Sequence, residues 1–244
     1  MTVSLDRQLN RQLVYPDSDG QPMADNTKQF RWIVLLKENL ECLFVDDPQV
    51  FVAGDLLWYP VEGHPEIRVA PDAMVVFGRP KGDRGSYRQW EEGGIGPQVV
   101  FEVLSPGNTL KEMAKKQRFY DRYGVEEYYL YDPDRHDLTG FQRVNGQLEV
   151  IEEMAGWTSP RLGILFTLTE ADLEIYYPDG RRFLTTVELA QRAEQEKQRA
   201  EQEKQRAEQE KQRAEQEKQR AEQEKQRADR LAAQLRALGV EPEE

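Results

Sequence analysis

Residues 98–131 read QVVFEVLSPGNTLKEMAKKQRFYDRYGVEEYYLY and contain two strand patterns on either side of a helix pattern. Gln98–Leu104 is almost entirely apolar, as expected of a central strand that is buried on both faces. The following Ser-Pro-Gly-Asn-Thr interrupts this strand and supplies N-cap residues for a helix over Leu110–Tyr123. Glu127–Tyr131 then predicts the next strand, so the stretch predicts the order β-α-β.

The sequence on both sides of this stretch predicts further helices and strands. Upstream, apolar side chains at roughly 3.6-residue spacing predict a helix over Thr27–Phe44. Three short strand patterns follow that helix, at Gln49–Val52, Leu56–Tyr59 and Ala73–Phe77. Downstream lie shorter β segments with hairpin signals at Asn145-Gly146 and Asp179-Gly180. The order α-β-β-β-α-β, followed by β meanders, predicts an α/β (α+β) fold in which helices pack on a mixed sheet.

The C-terminal part of the chain is a repeat. Residues 193–227 are five tandem copies of AEQEKQR, whose residues are all strong helix formers. We therefore expect two domains, a globular one over 1–185 and a long heptad-repeat helix over 186–244. Ala alone at one heptad position buries little surface, so a coiled coil and a single helix both remain open. Three leucines near the tip, Leu231, Leu235 and Leu238, make a homodimer through this helix a second expectation.

Composition excludes several classes of protein. The chain has one cysteine, Cys42, and two histidines, which rules out a disulfide framework and a metal cluster built from thiolates or imidazoles. No apolar run is long enough to span a membrane, so we expect no membrane partner. Because residues 1–11 have no apolar segment typical of a secretory signal, we expect a cytoplasmic protein.

The charge balance is acidic. The net charge of the whole chain is −12, the repeats are neutral and residues 228–244 carry −2, so the first 192 residues carry −10. Affinity for phosphate comes mainly from lysine and arginine, and a body this acidic is therefore not a generic nucleic-acid binder. Any binding of DNA or RNA needs a local basic surface.

Two carboxylates stand where burial makes them costly. Asp72 opens the strand pattern Ala73–Phe77, and Glu102 interrupts the apolar run Gln98–Leu104. A buried carboxylate is unfavourable unless it is paired or binds a cation. If the two strands are neighbours, the pair could hold Mg²⁺ or Mn²⁺, which prefer oxygen ligands. The alternative is that Glu102 faces solvent at a strand end or pairs with an arginine.

Four motifs in order resemble the Uma2 family of the PD-(D/E)XK restriction-endonuclease-like superfamily. They are Pro71-Asp72, the VFEVLSP stretch at 100–106, Lys116 with Tyr120, and the GVEEYY stretch at 124–129. The resemblance covers roughly residues 15–180 and excludes the repeats. It implies a restriction-endonuclease-like mixed sheet, whose core order α-β-β-β-α-β agrees with the pattern above.

The resemblance also implies a catalytic site. Asp72 and Glu102 would bind Mg²⁺ or Mn²⁺, with the main-chain carbonyl of Val103 as a third ligand. The superfamily usually has a lysine two residues after the glutamate, and here that position is Leu104. In the Uma2 pattern the lysine lies on the following helix, which assigns the role to Lys116, with Lys115, about 100° away on the helix, as the alternative. The implied reaction is metal-dependent hydrolysis of DNA phosphodiester bonds.

A loop over about 78–97 is the expected nucleic-acid contact. Its basic residues are Arg79, Lys81, Arg84 and Arg88. Tyr87 or Trp90 could add base stacking. The alternative is an ordinary solvated loop. A second functional hypothesis also remains open, in which the chain is a catalytically inactive nuclease-fold protein that acts as a binding scaffold through its C-terminal helical arm.

Overall fold

The computed structural model describes residues 14–18, 20 and 23–237, and it has the mixed α and β architecture that the sequence predicts. Its helices are α1 (Thr27–Leu43), α2 (Leu110–Arg122) and α3 (Thr186–Ala237). Its strands are β1 (Val50–Ala53), β2 (Trp58–Tyr59), β3 (Ala73–Phe77), β4 (Tyr87–Arg88), β5 (Val99–Val103), β6 (Glu127–Asp132), β7 (Asp137–Val144), β8 (Gln147–Val150), β9 (Leu165–Leu168) and β10 (Leu173–Tyr176).

A six-stranded mixed sheet forms the centre of the globular part. Its strand order is β1-β3-β5-β6-β7-β8, and two small two-stranded sheets stand beside it. Strands β5 and β6 are parallel and are connected through α2, whereas the other neighbours in this sheet are antiparallel. Every residue of β5 is buried, so the prediction of a central strand covered on both faces is confirmed.

The sheet separates two apolar clusters. Successive side chains on a strand point to opposite faces, so each central strand contributes to both clusters. From β5, Val99 and Phe101 join the cluster that includes α1 residues, and Val100 joins the cluster that contains Tyr120 of α2. Helices therefore cover both faces of the sheet, as the sequence pattern predicts.

The register between β3 and β5 fixes which residues face each other. Ala73 pairs with Phe101 and Met74 with Val100. The same register continued by one residue places Asp72 opposite Glu102. Residues directly opposite on antiparallel strands share a face, so the two carboxylates belong to the same side of the sheet.

One strand prediction needs correction. The pattern at Leu56–Tyr59 predicts a strand, but only Trp58–Tyr59 is extended, and it pairs in parallel with β4 outside the main sheet. Asp55 has a φ of 48°, and its amide donates a hydrogen bond to the carbonyl of Pro71. This turn directs the chain away from β1. Strands β4 and β9 carry no pattern strong enough to predict them.

The hairpin signal at Asn145-Gly146 is confirmed. Asn145 has a φ of 51° and Gly146 a φ of 88°, and the pair connects β7 to β8. Positive φ at both central residues is characteristic of a type I′ turn, whose twist matches that of the flanking strands. This hairpin closes the far edge of the sheet.

A buried asparagine on α1 gives a test of the packing. The amide of Asn39 donates to the carbonyl of Leu35 at 2.7 Å and to that of Leu184 at 3.0 Å, and its oxygen accepts from the hydroxyl of Tyr177 at 2.9 Å. Asn39→Ala leaves these buried groups without partners, so we expect a loss of about 2–4 kcal/mol in the free energy of unfolding. Urea denaturation measures this loss. A loss below about 0.5 kcal/mol would contradict the assigned bonds.

The C-terminal helix is a separate unit. The chain divides into two compact units, residues 1–185 and 186–244. Side chains in the repeats are exposed, and pairs such as Arg192 with Glu196 at 3.1 Å connect successive turns of α3. Leu238 and the side chain of Leu235 lie outside the described residues, so the homodimer stays a prediction. Within the described chain, no helix combines the length and apolarity needed to cross a membrane.

Candidate active site

Two buried carboxylates meet where β3 begins and β5 ends. Asp72 is 7% exposed and Glu102 is 2% exposed. The Oδ2 atom of Asp72 accepts a hydrogen bond from the amide of Val103 at 2.6 Å. This bond joins the segment before β3 to the end of β5, so the position of the Asp72 carboxylate depends directly on the backbone of the strand that carries Glu102.

Two side chains of α2 hold the Glu102 carboxylate. The Nζ of Lys116 lies 2.7 Å from Oε2, and the hydroxyl of Tyr120 donates to Oε1. Lys116 and Tyr120 are four residues apart, so they project from the same face of the helix. Thr109 caps the helix by accepting a hydrogen bond from the amide of Glu112 at 3.2 Å. The sequence placed Lys116 on this face, and the structure brings it to Glu102.

The close packing of these groups changes their acidity. Burial, and next the nearby carboxylate of Glu102, raise the pKa of Asp72 well above its ordinary value. Burial lowers the pKa of Lys116, but the carboxylates of Glu102 and Asp72 outweigh it, so its pKa lies above the ordinary value. Burial and then Glu102 raise the pKa of the Tyr120 hydroxyl well above its ordinary value. The pair of acids is therefore under electrostatic strain that a cation would relieve.

The carbonyl of Val103 has a partner that the sequence analysis missed. The Nε2 of Gln29, on α1, donates to this carbonyl at 2.9 Å. The Oε1 of Gln29 accepts from the amide of Asp25 at 2.8 Å. Gln29 is 7% exposed, and a polar residue inside the buried stripe of a helix is the signal that could have found it. Its amide orients the carbonyl that the family resemblance implies as a ligand.

A cleft of about 520 Å³ opens at this site. Its charged lining residues are Asp25, Asp55, Arg68, Asp72, Glu112 and Lys116. Acids outnumber bases in this lining, so a polyanion could approach the cleft closely only if cations compensate the negative charge. The cleft is large enough for a phosphate group with its neighbouring sugar.

The donor groups fit a hard divalent cation. Among residues 14–18, 20 and 23–237, no group of three or more histidine, cysteine, aspartate or glutamate side chains is arranged to hold a metal ion. The available set is two carboxylates and one main-chain carbonyl, all oxygen donors with lone pairs beyond their present hydrogen bonds. The charges of Asp72, Glu102 and Lys116 sum to −1 when all three are ionised. Oxygen ligands with excess negative charge suit Mg²⁺.

The predicted basic loop is internally paired. Arg79 and Arg84 both contact Glu92, at 3.8 Å and 2.6 Å. Lys81 lies 2.9 Å from Glu41. The guanidinium of Arg84 also packs over the ring of Phe51. These contacts neutralise much of the positive charge of the loop and restrict its side chains.

The rest of the loop has aromatic neighbours. Arg88 lies 3.4 Å from Glu91 and also over the ring of Tyr15. Tyr87 is fully buried, with its hydroxyl donating to the carbonyl of Ile95 at 2.7 Å, so the hypothesis that it stacks on a base is wrong. Trp90 packs against Tyr15. The assignment of Arg79, Lys81, Arg84 and Arg88 to nucleic-acid binding stays a prediction.

The mixed sheet places Asp72 and Glu102 on neighbouring strands and Lys116 on the following helix, which is the arrangement that the family resemblance implies. The chain belongs to the Uma2 family, described as "Putative restriction endonuclease", whose family model matches residues 18–180. This membership supports a nuclease-type function, acting on nucleic acid.

Comparison with individual proteins adds a distant structural likeness. A crystal structure described as "a putative nuclease belonging to DUF820", from Anabaena variabilis ATCC 29413, aligns with a TM-score of 0.44 and 16% sequence identity. The alignment covers 59% of this chain and 77% of that chain. Among curated proteins, no sequence matches the chain.

Proposed function

We propose that this protein is a Mg²⁺- or Mn²⁺-dependent endonuclease that hydrolyses DNA phosphodiester bonds. The observation that carries the proposal is the position of Glu102. Its carboxylate is buried on the same side of the sheet as Asp72, and it is held by Tyr120 and by Lys116, which lines the cleft. A carboxylate buried at this position is unfavourable unless its charge is paired or binds a cation.

The side chains around the pair position its oxygens. The amide of Val103 fixes Asp72, the hydroxyl of Tyr120 fixes one oxygen of Glu102, and Gln29 fixes the Val103 carbonyl. A preorganised charged site needs little rearrangement during the reaction, which is the main source of electrostatic catalysis. The ammonium of Lys116 lines the cleft, where it can stabilise the negative charge that develops on a phosphate under attack.

Asp72, Glu102 and the Val103 carbonyl would hold the divalent cation. When bound, a Mg²⁺ ion lowers the pKa of a coordinated water and offsets negative charge on the phosphate. Burial of the two carboxylates excludes bulk water from their sheet-facing side and strengthens their interaction with any cation.

The test is calorimetric titration of Mg²⁺ and of Mn²⁺ into the full chain and into Glu102→Gln, with plasmid cleavage measured in parallel. We expect metal binding and cleavage by the unmodified chain only. A folded protein that binds neither metal would contradict the proposal and favour the inactive scaffold that acts through α3.

Lys116→Met gives a second test of the site. Because its ammonium is placed for electrostatic stabilisation, we expect cleavage to fall by about 100-fold or more. Lys28→Met is the matched control, since Lys28 forms an exposed ion pair with Asp134. Initial rates on plasmid DNA measure the difference, and thermal denaturation checks that both variants fold. Equal rates for Lys116→Met and Lys28→Met would remove Lys116 from the mechanism.

A further inference from the structure

Helix α2 carries an exposed row of basic residues that the family motifs do not include. We define the basic stripe as Lys111, Lys115, Arg118 and Arg122. Their spacing of four, three and four residues places all of them on one face of the helix. All four side chains are exposed to solvent. No helix or strand covers this face in the part of the chain that the structure describes.

The cations of the basic stripe have no carboxylate partners in the described part of the chain, and Arg122 lies over the ring of Tyr123. Within residues 14–18, 20 and 23–237, none of them forms an ion pair with a carboxylate, whereas each cation of the 79–88 loop does. Glu112 accepts from the amide of Asn108 at 3.4 Å, and Asp121 lies 3.2 Å from Arg143. The two acids of α2 therefore have other partners, and the charge of the stripe is available to a ligand.

Helical geometry relates the basic stripe to the cleft. Each residue of an α-helix turns by about 100°, so the centre of the stripe lies roughly 130° around α2 from Lys116. Lys111 and Lys115 are the immediate neighbours in sequence of Glu112 and Lys116, which both line the cleft. The stripe therefore lies on the solvent face of the helix that carries these two cleft residues, and its side chains do not line the cleft.

The dimensions of the basic stripe fit a phosphate backbone. From Lys111 to Arg122 the helix rises about 16 Å. One strand of duplex DNA places a phosphate about every 3.4 Å along its axis, so this length corresponds to roughly five phosphates. In a body that carries −10 over residues 1–192, an exposed row of four cations is a local attraction for a polyanion.

We propose that the basic stripe binds the phosphate backbone of duplex DNA along the solvent face of α2. This inference rests on the proposed function, because it supplies the local basic surface that an acidic nuclease needs. It assigns backbone binding to α2 instead of the 79–88 loop. Phosphate contacts fix the position of a duplex and carry no sequence information, so the stripe would contribute affinity and not sequence preference.

Binding of a fluorescent 25-base-pair duplex to the full chain in EDTA tests the proposal, because cleavage and metal binding are then absent. The stripe variant is Lys111→Gln, Lys115→Gln, Arg118→Gln and Arg122→Gln. The charge-matched control is Lys28→Gln, Lys37→Gln, Arg135→Gln and Arg181→Gln. The loop variant is Arg79→Gln, Lys81→Gln, Arg84→Gln and Arg88→Gln. Fluorescence anisotropy between 50 and 200 mM salt gives the affinity of each, and circular dichroism checks the fold.

We expect the stripe variant to lose at least about tenfold in affinity, and the slope of log K against log salt to flatten by about 3. The charge-matched control and the loop variant should keep slopes close to that of the unmodified chain. Unchanged affinity and slope in the stripe variant, or equal losses in the charge-matched control, would overturn the proposal. So would an unmodified chain that does not bind duplex DNA.

The result can be separated from a failure of the catalytic proposal. Calorimetry of Mg²⁺ on the stripe variant should give the binding seen for the unmodified chain, since none of the four residues contacts Asp72 or Glu102. If the unmodified chain binds no metal but its stripe still governs duplex binding, the inference about the surface stands and the proposed catalysis fails.

Discussion

Asp72→Asn is expected to reduce cleavage strongly and, at the same time, to make the folded chain more stable. The variant removes one of the two carboxylates proposed to bind the cation, so cleavage should fall by about 100-fold or more. The asparagine oxygen can still accept the bond from the amide of Val103 that holds Asp72 at 2.6 Å. It does so without a buried negative charge beside Glu102.

The gain in stability has a defined pH dependence. Burial and the Glu102 carboxylate raise the pKa of Asp72 well above its ordinary value. A carboxyl whose pKa is higher in the folded state destabilises the fold once the pH exceeds the pKa of the unfolded chain, which is about 3.9. In metal-free buffer, thermal denaturation should therefore show Asp72→Asn more stable than the unmodified chain at pH 7.5, with a smaller difference at pH 4.5. Lower stability of the variant at pH 7.5 would contradict this account.

Glu127→Ala is expected to cause the largest loss of stability. Glu127 is 2% exposed and belongs to the opposite side of β6 from the proposed site. Its carboxylate accepts from the hydroxyls of Tyr129 at 2.9 Å and Ser159 at 2.5 Å, and from the amide of Arg161 at 2.8 Å. Alanine leaves a cavity and three buried donors without an acceptor, so we expect a loss of about 3–5 kcal/mol in the free energy of unfolding.

The neighbouring residue provides the control for this loss. Glu126 forms a partly exposed ion pair with Arg161, so Glu126→Ala should cost less than about 1 kcal/mol. Urea denaturation of both variants measures the contrast. Equal losses for the two variants would contradict the view that the buried hydrogen bonds of Glu127 hold the segment with Ser159 and Arg161 against the sheet. A loss of about 3–5 kcal/mol in the free energy of unfolding for Glu127→Ala would indicate a structural role for Glu127. Glu102, in contrast, is proposed to bind the metal ion.

The sheet and the carboxylate pair could be predicted because strong local patterns define them. The apolar run at 98–104 is typical of a central strand that is buried on both faces. Glu102 is the charged residue within this run, and burial of its carboxylate is unfavourable unless it is paired or binds a cation. The i, i+4 relation of Lys116 and Tyr120 gives the face of α2 that contacts the sheet. Each of these signals is a regular pattern of side chains along a short stretch of sequence, or a single residue that breaks such a pattern. Both kinds of signal can be detected without knowledge of distant contacts.

The residues that escaped prediction depend on long-range packing. The partners of Lys81 and Arg84 are Glu41 and Glu92, and nothing in the 79–88 loop indicates that these acids lie near it. Gln29 reaches Val103 across 74 positions of sequence. A count of basic residues finds positive charge but cannot tell whether that charge is paired in the folded chain.

The register between β3 and β5 has a consequence for how this protein can vary through evolution. Pairing of Ala73 with Phe101 fixes the two carboxylates from within the sheet, so the loop at 78–97 can gain or lose residues without moving them. A single residue inserted near the start of β3 would instead turn Asp72 to the other face. Length near the start of β3 is therefore as constrained as the identity of the acids, while the length of the 78–97 segment does not affect their relative position.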